Sequence, residues 1–248
     1  ADLHVRRRAL SRRFMFRHRR SLGLRRRRPV SHGALIEHSF SEVMALARAA
    51  TRGVGDAWGT AEDAATAVQW LHRQGLDGVT ALADLLTARD GRTVGDWVPR
   101  LEDPVWTAAG GRLCPLATGA ALADRRAAVM VAPPGLGPVV APLLLMPFIA
   151  DVARGQAVLT VTWAGVTAVT DGAGLAYDGA MSALMIGAAR PAVLRPGGRL
   201  RAAVKLCDRA FVAPVALQRL SLFAERTLAP ATAESRARGA GGGDDSLG

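Results

Sequence analysis

From Ala127 to Ala150 the chain runs for 24 residues without a charge, and within that run stand Pro133, Pro134, Pro138, Pro142 and Pro147. By length alone the run could cross a bilayer. Each proline removes a backbone donor and costs a helix interior roughly 3 kcal/mol, so five of them forbid one continuous spanning helix. The run must therefore sit inside a folded domain as short pieces. It reads as extended into Val131, turning through Pro133 to Pro138, then packing Leu143 to Ile149 in the core. No membrane span is expected.

Charge divides the rest. The first 28 residues hold 12 arginines against a single acid, Asp2, while Pro29 to Gly248 carries 20 basic and 20 acidic residues. The net charge of +11 is thus a property of the leading segment. A neutral body gives no electrostatic reason to bind nucleic acid, which leaves residues 3–28 as the only segment suited to contacting phosphates. Phe14 and Phe16 are its only aromatics, too few to stack bases along it. With no uncharged apolar core, the start does not read as a secretory signal. Three readings stay open for it: a translated upstream extension with the true start near Ser39, a disordered electrostatic arm, or an organellar transit peptide. Residues 1–38 are accordingly set apart as a disordered Arg-rich extension and 231–248 as a Gly-rich tail. That leaves 39–230 as a single domain.

Half of the residues are apolar, enough for a substantial core. Lys205 is the only lysine and asparagine is absent, a bias resembling that of GC-rich bacterial genomes. Arginine in place of lysine is therefore no sign of phosphate recognition. Cys114 and Cys207 belong to no CxxC pair and have no histidine at metal-ligand spacing, so neither a metal site nor a disulfide framework is expected. A reducing cytoplasm is the default compartment.

Three helices are predicted over 39–90. Ser39 with Glu42 forms a capping box ahead of Phe40, Val43, Met44, Ala47 and Ala50, and Gly53 stops the run. Thr60 with Asp63 repeats the device before Ala64, Ala67, Val68 and Leu71, ending at Gly75. Asp77 caps a third helix carrying Val79, Leu82 and Leu86. Over 91–112 the periodicity fails, leaving a connecting segment in which Trp97 and Trp106 are embedded. In the mixed core, 113–230, Leu159, Val161 and Trp163 alternate with Thr160 and Thr162, and Asp171-Gly172 signals a hairpin. Leu200 to Leu206 alternates as a half-exposed antiparallel strand. Pro214 opens a last helix with Leu217, Leu220 and Ala224 inward, closed by Pro230. The class is α+β: an N-terminal three-helix unit, an antiparallel strand-rich second half and a C-terminal helix.

Nucleotide-loop and hydrolase signatures are absent. Gly135-Leu136-Gly137 lacks a third glycine, and Ser182 lacks the G-x-S-x-G elbow. No cofactor is expected. Cys114, after the flexible Gly110-Gly111, is the candidate nucleophile, set against its other reading as a small buried hydrophobe. Asp124 is the other candidate catalytic residue. Glu62 and Asp63 read as first-turn residues favouring a helix N-terminus, and His72 as an exposed helix terminus. Trp58, Trp97 and Trp106, lying in irregular connections, are the candidate ligand-binding residues, in a pocket between the helical opening and the strand-rich half. The resulting expectation is a small-molecule-binding or enzyme-like protein. The alternative is a nucleic-acid binder acting through residues 3–28.

Several segments resemble an uncharacterised proteobacterial domain-of-unknown-function family. They are Ala47 to Gly55, Ala57-Trp58-Gly59, Ala61 to Ala64, Leu113-Cys114-Pro115-Leu116 with Gly119 and Asp124, and Glu225-Arg226-Thr227 running on to Gly239-Ala240-Gly241. The resemblance spans Ser39 to Gly243 and implies no activity. Its glycine segment departs from the family's Gly-Ala-Gly-Ala-Gly. The helical opening is also distantly similar to the malate and L-lactate dehydrogenase family that lacks a Rossmann fold. That kinship implies a catalytic histidine after the second helix, where this chain has Gly75-Leu76-Asp77-Gly78-Val79.

Overall fold

The structure, a computed structural model, describes residues 35–187, 190–198 and 204–228. These residues all fall within one unit of the chain, His32–Gly248. The Arg-rich leader up to residue 34 and the tail from residue 229, including Pro230, lie outside the described residues, as do the readings placed on them.

The first described element lies just before Ser39. Strand β1 (Ile36–His38) pairs antiparallel with β8 (Ala210–Val212), joining the start of the body to its end. Helix α1 (Phe40–Gly53) opens on the reciprocal capping box. The Ser39 hydroxyl accepts from the Glu42 N–H at 3.2 Å, and the Glu42 carboxylate accepts from the Ser39 N–H at 2.7 Å.

Helix α2 (Trp58–Arg73) starts earlier than a Thr60 cap would allow, with Ala57 as an N-cap that offers no side-chain hydrogen bond. The reason is the preceding turn. Gly55, at φ +92, lets the Asp56 N–H reach the Thr51 carbonyl, and helical geometry resumes directly afterwards. Helix α3 (Gly78–Arg89) has its expected cap, the Asp77 carboxylate accepting from the Thr80 N–H at 2.9 Å.

The three helices are completed by α8 (Pro214–Ala224), whose Pro214 occupies the first turn. Ala216, Leu220 and Phe223 form its buried face, with Leu217 and Ala224 only half-buried beside it. Bonds from Arg219 to Asp84 at 2.8 Å and from Arg226 to Asp90 at 2.6 Å tie this C-terminal end to α3 and its cap. Gly53 allows the close crossing of α1 and α8, since a Cβ there would overlap the Phe223 carbonyl.

In the connecting segment Trp97 and Trp106 are buried anchors, the latter in β2 (Val105–Trp106). Next come α4 (Pro115–Asp124), α5 (Arg126–Val131), β3 (Gly135–Val139) and α6 (Met146–Ala153), with a 3-10 turn over Pro142–Leu145. The uncharged run is core from Val139 to Met146 and again at Ile149, as its prolines required. Its first part departs from the sequence reading. Val131 ends a short helix and is 86% exposed, and the expected turn through Pro138 is a strand. Proline is tolerated there because the β3 register against its neighbour shifts between Gly135 and Pro138.

The second half is a six-stranded sheet in the order β2-β3-β7-β4-β5-β6, formed with β4 (Leu159–Trp163), β5 (Val166–Thr170), β6 (Leu175–Asp178) and β7 (Arg190–Pro196). All its pairings are antiparallel except that of β2 with β3. Leu159, Val161 and Trp163 face the core as their alternation predicts. Ala164 and Gly165, both at positive φ, turn β4 into β5. Asp171 closes the next turn by accepting from the Ala173 and Gly174 N–H groups at 2.9 and 2.8 Å. The short helix α7 (Met181–Leu184) follows β6.

The strand expected over Leu200 to Leu206 is not where the sheet draws its element. Val204 to Leu206 is not strand, residues 199–203 lie outside the described residues, and the paired strand is β7. Pro191 and Pro196 hid that strand from the sequence pattern. The fold is α+β with a C-terminal helix. Among the described residues no helix is long and apolar enough to cross a membrane.

Candidate functional site

Helices α2, α4 and α6 each turn one face to a shared cleft of about 510 Å3. Helical spacing selects the residues: Asp63, Thr66, Ala67 and Trp70 on α2, Ala120, Ala123 and Asp124 on α4, Pro147, Phe148 and Asp151 on α6, and Arg154 just beyond it. A volume of this size suits a small molecule. Alanines keep the cleft open, and Trp70 and Phe148 give it apolar surface. Phe148 can pack against α4 because position 119 is glycine; a Cβ at Gly119 would overlap its ring.

The cleft's charge is uneven. Asp151 is compensated by Arg126 at 2.7 Å and by Arg154 at 3.8 Å. Asp63 and Asp124 make no ion pair among the described residues. Burial, then the charge of Asp124, then that of Glu62 push the Asp63 carboxyl above its ordinary range. Glu62 itself is turned to Arg48, at 2.5 Å. Among the described residues the arrangement therefore offers two carboxylates without a basic partner beside aromatic surface.

None of four clefts among the described residues brings together the five residues singled out in the sequence. Only Asp124 lines this cleft, which lies among helices instead of between helices and sheet. Trp58 is 63% exposed and lines a second cleft with Arg48, Arg52 and Arg226. Trp97 and Trp106 each contribute to a separate cleft, of about 430 and 270 Å3. Cys114 lines none of these four.

Cys114 is 3% exposed, and its N–H donates to the Trp97 carbonyl at 2.9 Å. Its Sγ lies 3.7 Å from an Arg89 nitrogen. Burial pushes the thiol up, against the opposing pull of Arg89 and of the N–H groups of Ala117 and Leu116. Arg89 is held in a fork by Asp56, at 2.9 and 2.6 Å, with both side chains almost fully buried. Nothing in the sequence marked that pair, because its partners are 33 positions apart.

His72 corrects the sequence reading. It is 3% exposed, and its Nε2 accepts from the Val79 N–H at 3.4 Å, linking α2 to the first turn of α3. Burial pulls its pKa down, against the raising effect of Asp77 at 4.0 Å. Asp63 is the functional candidate that sequence reasoning passed over as a first-turn acid. The available signal was its spacing to Ala67 and Trp70 along one face of α2. Among the described residues no group of His, Cys, Asp and Glu is arranged to hold a metal ion.

Residues 38–114 match a family model described as a protein of unknown function (DUF3726). The match takes in the helical opening and the connecting segment, so Asp63 and Trp70 lie within it, and Asp124, Phe148 and Asp151 lie beyond it. No curated protein and no solved structure matches the chain.

Proposed function

We propose that this domain binds a small organic cation, an amine carried on an apolar body, in the cleft between α2, α4 and α6. The observation that carries this reading is the pair of carboxylates, Asp63 and Asp124, left without basic partners among the described residues and close enough for one to disfavour ionisation of the other. An ammonium group placed between them relieves that repulsion, and Trp70 and Phe148 receive the apolar body through packing and cation–π attraction.

Calorimetric titration with 2-phenylethylamine, against 2-phenylethanol and phenylacetate, tests it. The amine should bind at least about tenfold more tightly than either analogue, a difference of about 1.4 kcal/mol. Asp63→Asn and Asp124→Asn should each remove that preference. Equal affinity for amine and alcohol, or an unchanged preference in both variants, overturns the reading.

The charge of residues 3–28 supports a second reading, RNA binding through the leader. Such binding weakens steeply with salt and is lost when the chain begins at Ser39. Full RNA affinity in the shortened protein refutes it.

A further inference from the structure

A second cleft, of about 550 Å3, lies where α1 meets the start of α2 and the C-terminal turn after α8. Its character is the opposite of the first. Arg48 and Arg52 reach it from one face of α1, Arg226 from the C-terminal turn, and Trp58 from the first residue of α2. Ala45 and Ala49, on the same face of α1, leave the space between the arginines open.

The arginines are not equivalent. Arg48 is clamped by Glu62 through Nε and one terminal nitrogen, at 2.5 and 2.8 Å, and Arg226 by Asp90 through both terminal nitrogens, at 2.6 and 3.0 Å. Each clamp neutralises its arginine and holds it in place, while leaving N–H donors unused, since a guanidinium carries five. Arg52 has no carboxylate partner among the described residues. It donates to the Asp56 carbonyl and lies over the Trp58 ring, 4.9 Å from its centroid. Trp58 is nevertheless 63% exposed, so Arg52 covers only part of the indole.

We infer that this cleft is a binding site for an aromatic monoanion, a planar ring bearing one carboxylate. Arg52 supplies the one positive charge in the cleft left uncompensated among the described residues, and the pre-positioned Arg48 and Arg226 add hydrogen-bond donors at little entropic cost. The open surface of Trp58 stacks on the ring of the ligand. No residue lining the α2–α4–α6 cleft takes part, so the two sites stand or fall separately.

The test is titration of the full chain with 2-naphthoate at low and moderate salt, alongside 2-naphthamide, cyclohexanecarboxylate and adenosine monophosphate. Naphthoate should bind best, with the amide, which lacks the charge, and the cyclohexane acid, which lacks the planar ring, each at least about tenfold weaker. Trp58→Ala and Arg52→Gln should each weaken naphthoate by about tenfold or more with unchanged melting temperature, and Asp63→Asn should leave it unaffected. Salt should weaken naphthoate and spare the amide. The inference is overturned if amide and acid bind equally, if adenosine monophosphate outcompetes naphthoate, or if both variants bind as the parent does. It is equally overturned if no naphthoate binding is detected.

Discussion

Two aspartates near the ends of one short stretch, Asp56 before α2 and Asp63 within it, meet opposite fates. Asp56 is almost completely buried and is fully answered by the fork of Arg89. Asp63 is only partly buried, yet it is unanswered and raised in pKa by its surroundings. Depth of burial thus separates structure from function less well than compensation does. The interior tolerates a charge whose partner is built in, whereas the proposed amine site rests on charges that no described residue answers.

The sharpest way to break this contrast is at the buried pair. Arg89→Leu strands the Asp56 carboxylate in the core and should cost about 3–5 kcal/mol, read by urea unfolding. The double variant Asp56→Leu, Arg89→Leu should regain most of that loss. A single-variant loss below about 1 kcal/mol would mean the pair is solvated and the contrast is wrong.

Gly119→Ala comes next, at about 1–3 kcal/mol, because the added methyl displaces Phe148. It should also weaken amine binding in the cleft while leaving naphthoate binding unchanged.

His72 sharpens the comparison through pH. Its folded pKa lies below the unfolded value near 6.5, so the unfolded chain takes up a proton first. Its contribution to stability is complete above that value and shrinks as pH falls through it towards the folded pKa. Melting curves from pH 7.5 to 5 should therefore drop more steeply for the parent than for His72→Gln, by about 1 kcal/mol. Parallel curves would show that the buried imidazole does not titrate in this range.

The smallest effect is at Asp63, where the sign is opposite to that of an ordinary paired acid. Its folded pKa is raised, so its ionised form opposes folding at neutral pH and the penalty fades as pH falls towards the unfolded value. Asp63→Asn should stabilise the protein at pH 7 slightly, by well under about 1 kcal/mol because solvent screens the charge, while abolishing amine preference. A destabilised variant would place Asp63 in the framework instead of the site.

Legibility followed the range of the interaction. The Ser39 and Asp77 caps, the Leu159 to Trp163 alternation and the core position of Leu143 to Ile149 depend on neighbours a few residues away and could be read from the chain. The start of α2 could not, because a glycine turn displaced the apparent Thr60 cap. Strand β7 was concealed by prolines that the pairing with β3 and β4 accommodates. At the candidate site, Asp124 was named together with Cys114, and the structure separates them: Asp124 shares a cleft with Asp63, and Cys114 is sealed in the core beside Arg89.

By itself the sequence determined the α+β class, the ends of several helices, the proline-broken core segment and the confinement of excess charge to the leader, since each follows from backbone chemistry or from composition over short spans. Tertiary structure alone decided which charges meet. Whether an aspartate finds an arginine 33 positions away or a second aspartate across a cleft depends on how helices pack, and packing brings together residues whose separation along the chain carries no local signal.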